Sequence, residues 1–198
     1  MTPKPRRVSS SALIDPAVSC LILIAPNEDE LTRLSPRAEV DARRRLWALA
    51  EAADIMDIPA LLVSPGPSRR IHSLVARVPR VASHHQFLIG QDEVPWCNTT
   101  FVEMLDRINN SVLVVAGYWM EHEILTTALN ARHETYYVYV PVDAAPARTN
   151  RDSALACERL LQAGATPVLT SHVLREWRLE APDNAKRAAL SSALAPIA

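Results

Sequence analysis

The chain has 198 residues, 48% of them hydrophobic and 22% charged, a size and balance that suit one globular domain able to bury a core without disulfides or metals. Its net charge of −1 gives no long-range pull toward nucleic acid or an anionic membrane, so neither is expected as a partner. Three cysteines, Cys20, Cys97 and Cys157, lack paired or C-x-x-C spacing; they read as free thiols in a reducing compartment, with no disulfide framework and no metal site.

In chain order, Met1 to Ser11 carries Lys4, Arg6 and Arg7 with no hydrophobic run behind them. It reads as a polar tail and not a secretory leader. Four short apolar runs rich in branched residues follow: 20–24, 60–63, 112–115 and 136–140. They are continuous where a half-exposed strand would alternate, which marks parallel strands covered on both faces. Weaker strands are expected at His84–Ile89 and Pro167–Thr170. Helical spacing separates them: Val40, Leu46, Leu49, Ala50 and Ala53 within 38–56, then Phe101, Leu105 and Ile108. Further along come Ile124, Leu125, Ala128 and Leu129, and then Ala154, Leu155, Leu160 and Leu161. The run Arg43, Arg44 and Arg45 reads as a solvated helix face.

Alternating strands and helices predict an α/β fold, a three-layer αβα sandwich around a mainly parallel, Rossmann-like sheet. The expected organisation is a flexible tail over 1–14, one domain over 15–180, and a C-terminal tail or short helix over 181–198. No apolar run approaches the roughly 20 residues that cross a bilayer, and a cytoplasmic location is expected. In such sheets ligands bind beyond the carboxyl ends of the strands, here after Ile24, Val63, Ile89 and Val115. The four glycines, Gly66, Gly90, Gly117 and Gly164, form no phosphate-binding loop, so no dinucleotide or other cofactor is expected.

Several fragments carry a family likeness in order and spacing. They are Cys20-Leu-Ile-Leu-Ile-Ala-Pro-Asn27, Asp57-Ile-Pro59 before a strand, Trp96-Cys-Asn-Thr-Thr-Phe101, and Val114-Val-Ala-Gly117 running on to Thr127-Ala128. Asp143-Ala144, Ala163-Gly-Ala165 and Leu174 close the series. Together they resemble the isochorismatase-like cysteine hydrolases, in particular the bacterial YcaC-type subgroup. The resemblance implies an isochorismatase-like fold, a homo-oligomer (a dimer or higher), and a mechanism of three groups. An Asp after the first strand is the base, a Lys after the third strand steadies the oxyanion, and a Cys opening the helix after the fourth strand attacks the carbonyl.

Here the Asp position falls on Ala25 and the following Gln on Asn27. No basic residue stands near Ile89, where the Lys belongs, and the Cys position, six residues after Gly117, is Glu123. The zinc pattern of related nicotinamidases is missing from the stretch Ser64 to His72, and His72 alone is too few ligands. The expectation is therefore a homologue without the triad: a non-catalytic small-ligand-binding, structural or regulatory subunit. The alternative is a hydrolase rebuilt around Glu123 as general acid or base. Glu123 and Glu121 also suit the first turn of a helix simply through its dipole. The expected pocket is Ala25, Asn27, Ile89, Trp96, Cys97, Trp119 and Glu123. Trp96 and Trp119 either wall a flat ligand or fill the emptied space. Cys97 serves as a replacement thiol only if a base such as His84, His85 or His122 stands beside it.

Overall fold

The computed structural model describes residues 6, 7, 9, 11–25, 34–65, 86–90, 93–195 and 197. Six strands form one sheet: β1 (Ser19–Ile24), β2 (Ala60–Pro65), β3 (Gln86–Ile89), β4 (Val112–Gly117), β5 (Tyr137–Pro141) and β6 (Thr166–Val168). Every pairing is parallel, in the order β3-β2-β1-β4-β5-β6. Among the described residues six α-helices accompany them: α1 (Pro36–Ile55), α2 (Thr99–Ile108), α3 (Leu125–His133), α4 (Asn150–Gln162), α5 (Thr170–Leu179) and α6 (Asn184–Leu194).

The continuous apolar runs are explained by the alternation of side chains across a strand. Leu21, Leu23, Val112, Val114 and Ala116 join the core under α1, α5 and α6. Cys20, Ile22, Ile24, Leu113 and Val115 join the opposite core, under α2, α3 and α4. β1 and β4 are buried along their whole length, so no position could be polar without a partner. Chain order reverses between them, since β1 leads to β2 on one side and β4 to β5 on the other; the crevice at their carboxyl ends is where an open α/β sheet holds a ligand.

Side-chain caps open α1, α2, α4 and α6. Ser35 accepts from Ala38 N–H ahead of α1, with Pro36 in the first turn, and Asp183 accepts from Lys186 N–H at 2.8 Å ahead of α6. Asn98 performs two tasks. Its Oδ1 accepts from Phe101 N–H at 3.1 Å, and its Nδ2 donates to the Leu88 carbonyl at 2.9 Å. The Trp-x-Asn-x-x-Phe spacing is thus a helix cap tied to β3.

Three sequence expectations are corrected. Val40 is exposed and not part of the buried side of α1, which runs through Ala42, Leu46, Leu49 and Ala53. On α4, Leu155 and Leu161 are exposed, as is Ala154, because Ala156 and Leu160, one turn apart, form the inner face. The arginine run is not one solvated face. Arg44 is exposed, Arg43 pairs with Glu39, and Arg45 Nε donates to Asp143 Oδ2 at 2.9 Å.

The stretches outside 15–180 also make contacts. Ile14 is buried and its N–H donates to Glu176 at 2.8 Å, while the Arg6 guanidinium lies 3.7 Å from the Tyr136 ring centre. α6 buries Leu190, Ala193 and Leu194 and is tied by Lys186 to Asp57 at 2.6 Å.

Asp143, just past β5, is the joint between layers. Besides Arg45 of α1 it accepts from Thr170 N–H at 2.8 Å and Thr170 Oγ1 at 2.9 Å, satisfying the opening turn of α5 with a charged acceptor. Asp143→Ala is expected to lower the unfolding free energy by about 2 kcal/mol in urea titrations, and Thr170→Ala by clearly less.

Candidate functional site

β4 ends in Gly117, whose φ is +126°. A Cβ there would stand 2.0 Å from the Ile24 carbonyl oxygen, so only glycine lets β4 close onto β1 at this point. The next N–H, of Tyr118, donates to that same Ile24 carbonyl at 3.1 Å, while Ala25 N–H donates to Val63 carbonyl at 2.8 Å. The carboxyl ends of β2, β1 and β4 are thereby bound into one floor. The Tyr118–Trp119 peptide is cis, and a single wide turn, Met120–Ile124, leads into α3.

Tyr118, Trp119 and Met120 are 2%, 1% and 0% exposed. Tyr118 and Trp119 pack edge to face at 5.7 Å between ring centres and join the core on the α1 side together with Ala25. Met120 turns into the opposite core. Burial, with Glu39 nearby, pushes the Tyr118 phenol up to about 12 against the partial relief of Arg43. Burial alone does the same to the Cys20 thiol. Such groups stay protonated and are not nucleophiles at neutral pH.

Glu123 is half-buried and holds a backbone group: its Oε2 accepts from Trp119 N–H at 3.0 Å. Trp119 returns its carbonyl to His122 and Ile124 N–H, both at 3.1 Å. The carboxylate thus closes the wide turn as an N-terminal cap. Its other oxygen makes no hydrogen bond among the described residues. Glu121 points to the α4 side. It accepts from Arg148 N–H at 3.2 Å and pairs with the Arg148 guanidinium at 3.7 Å, which in turn lies 5.4 Å from the Trp119 ring centre.

The remaining expected pocket residues divide between the two faces. Ile89 is buried in the α2–α3 core, and Trp96 packs against that core, edge to face with Phe101 at 5.4 Å. Ala25 and Trp119 lie on the other face. Strand alternation makes this division, and Glu123 reaches Trp119 only through its N–H. Cys97 is exposed on the turn Pro95–Cys97. Asn27, His72, His84 and His85 lie outside the described residues. No group of three metal-ligating side chains occurs among the described residues. Thr127, read from the sequence only as part of a family fragment, is wholly buried and its hydroxyl has no hydrogen-bond partner among the described residues.

A parallel six-stranded sheet with helices on both faces and a glycine-closed switch point defines an α/β protein of the three-layer αβα class. The comparisons narrow this. Residues 94–172 match the family model of the isochorismatase domain. The fold is similar to the YcaC gene product of Escherichia coli, an octameric hydrolase of unknown specificity, at 20% identity. That match covers 96% of this chain and 94% of that one, with a TM-score of 0.75. YcaC from Pseudomonas aeruginosa is similar at 19% identity, 96% and 95% coverage and TM-score 0.75. The MAR1 ribonuclease of Caenorhabditis elegans is similar at 19% identity, 93% coverage of each chain and TM-score 0.73. No curated protein sequence matches the chain. The chain thus has the fold of the isochorismatase-like proteins, and its stretch 94–172 matches the isochorismatase domain model.

Two outcomes follow from this geometry. Gly117→Ala is expected to cost about 3 kcal/mol or more, or to prevent folding, because both the positive φ and the Ile24 contact oppose a methyl group; urea unfolding measures it. Tyr118 has a folded pKa near 12 against an ordinary value of 10. Its contribution is therefore intact below pH 10 and is lost as pH rises from 10 toward 12. Tyr118→Phe removes this, so wild-type stability falls between pH 8 and 11 by about 1 kcal/mol more than the variant's.

Proposed function

We propose that this chain is a non-hydrolytic isochorismatase-like protein, one that binds a small ligand at the β1–β4 crevice or acts as a structural or regulatory subunit. The observation that carries the reading is the use made of Glu123. At the position where the family resemblance expects the attacking thiol, a carboxylate caps the Trp119 N–H. Ala25 supports it, since a buried methyl group offers no base where the resemblance expects an Asp. The third support is the absence of Lys and Arg between Gln86 and Phe101, where the resemblance expects a cation. Removing members of a catalytic unit typically costs about 10⁴-fold or more in rate, and Tyr118, Trp119 and Met120, just past β4, are buried in the cores and not presented to solvent.

A second reading has one observation in its favour. The oxygen of Glu123 that Trp119 does not use is without a partner among the described residues, as an acid–base group would require. Under either reading we infer a homo-oligomer in the cytoplasm; the octameric state printed for the E. coli YcaC protein supports the first part. No helix among the described residues is long and apolar enough to cross a membrane.

Turnover of a panel of small amides, carbamates and vinyl ethers, by wild type and by Glu123→Ala, separates the two readings. The expected outcome is no turnover by either protein. Turnover by wild type that Glu123→Ala abolishes overturns the non-hydrolytic reading in favour of rebuilt acid–base chemistry.

A further inference from the structure

We propose that the outward face of α4 is a two-fold contact between copies of this chain, in which the helix pairs antiparallel with itself. This deepens the homo-oligomer reading above and rests on it.

α4 turns Ala156 and Leu160 into the α2–α3 core and packs on α3, β6 and the turn Met120–Ile124. Its opposite side carries apolar surface. Leu155 and Leu161 are 54% and 61% exposed, and Ala154 is exposed with them. The helical period places Ala154 and Leu161 along one border of this face and Leu155 along the other. Between the borders stand Arg151 and Glu158, both exposed. Neither makes an ion pair or a hydrogen bond among the described residues, whereas the neighbouring Asp152 accepts from Thr149 Oγ1 at 2.7 Å. A single exposed leucine needs no explanation. Two leucines and an alanine bordering an unpaired cation and an unpaired anion form a patterned surface.

That pattern is complementary to itself. Arg151 and Glu158 are seven residues apart, two turns or about 10 Å along the axis, and so lie on nearly one line. A helix charged in this way matches its own copy when the two run antiparallel, each Arg151 then meeting Glu158 of the other copy. A two-fold axis crossing α4 between Ala154 and Leu155 does this, and gives the isologous contact that a symmetric pair requires. The same axis sets Ala154 opposite Leu155 twice, a small residue facing a large one where the helices come closest. Leu161 then comes over the half-buried stretch 146–148 that leads into the other α4. Other registers are opposed by charge. An axis at Glu158 faces Leu155 with Leu161 but brings two carboxylates together. A parallel pair stacks Arg151 on Arg151 and Glu158 on Glu158, and like charges so placed repel. An unrelated partner would have to carry the same order of charges, which a second copy supplies by symmetry.

Charge reversal tests the contact. Sedimentation velocity over a concentration series, at low salt where exposed pairs are least screened, gives the concentration at which the assembly dissociates. Arg151→Glu and Glu158→Arg each turn two attractions across the axis into two repulsions. Each is expected to raise that concentration about tenfold or more. The double variant Arg151→Glu/Glu158→Arg restores the pairing with its signs exchanged, and is expected to return to within about threefold of wild type. Leu155→Asp is expected to weaken the assembly about tenfold or more, and far-UV circular dichroism to stay unchanged in all four variants, since these side chains lie outside the core. Single reversals that leave the wild-type assembly intact, or a double reversal no better than the singles, overturn this contact alone. A wild type that stays monomeric throughout the series overturns the homo-oligomer reading, and this contact with it.

Discussion

β4 meets β1 at one atom pair that fixes much of what lies above the sheet. The Gly117 α-carbon sits so close to the Ile24 carbonyl that a methyl group would overlap it, and the Tyr118 N–H then donates to that same oxygen. With both strand ends held there, the chain has little freedom in how it leaves the sheet. Tyr118 and Trp119 are driven into the α1-side core, Met120 into the other, and the wide turn before α3 has to begin. The N–H of Trp119 needs an acceptor at that turn, and Glu123 supplies it. The carboxylate's orientation thus follows from a backbone constraint made by a glycine six residues earlier.

The fold was legible because parallel strands buried on both faces leave a plain mark. The apolar runs around Leu21, Leu62, Val114 and Val138 correspond to β1, β2, β4 and β5, with ends displaced by a residue or two. What was hidden depended on tertiary partners. Nothing in Arg43-Arg44-Arg45 reveals that the third arginine meets Asp143, 98 residues on, since that pair exists only once α1 lies over the end of β5. Leu155 and Leu161 look like core by composition, yet the small Ala156 lets α4 approach the sheet on a different face. Ile14 lies in a stretch too short and polar to show a period, and is buried through Glu176 of α5.

The site was legible in part. Spacing from Gly117 led to Glu123, and Trp119 was expected near it, but whether that ring would wall a pocket or fill one depended on packing. The structure buries it under Arg148. Thr127 could be found only in three dimensions, because an unpartnered hydroxyl is defined by what surrounds it. Fold similarity speaks to ancestry, whereas function rests on the groups now present. Those groups are a capped carboxylate, a buried alanine and an orphaned threonine.

The measurement that bears most directly on this account is the hydrogen-exchange rate of the Trp119 amide in wild type and in Glu123→Ala. If the carboxylate's work is to hold that N–H, exchange is slow in wild type and at least tenfold faster in the variant, while amides in the middle of β1 and β4 keep their rates. Equal exchange of the Trp119 amide in the two proteins would contradict it, and would leave Glu123 free for other chemistry.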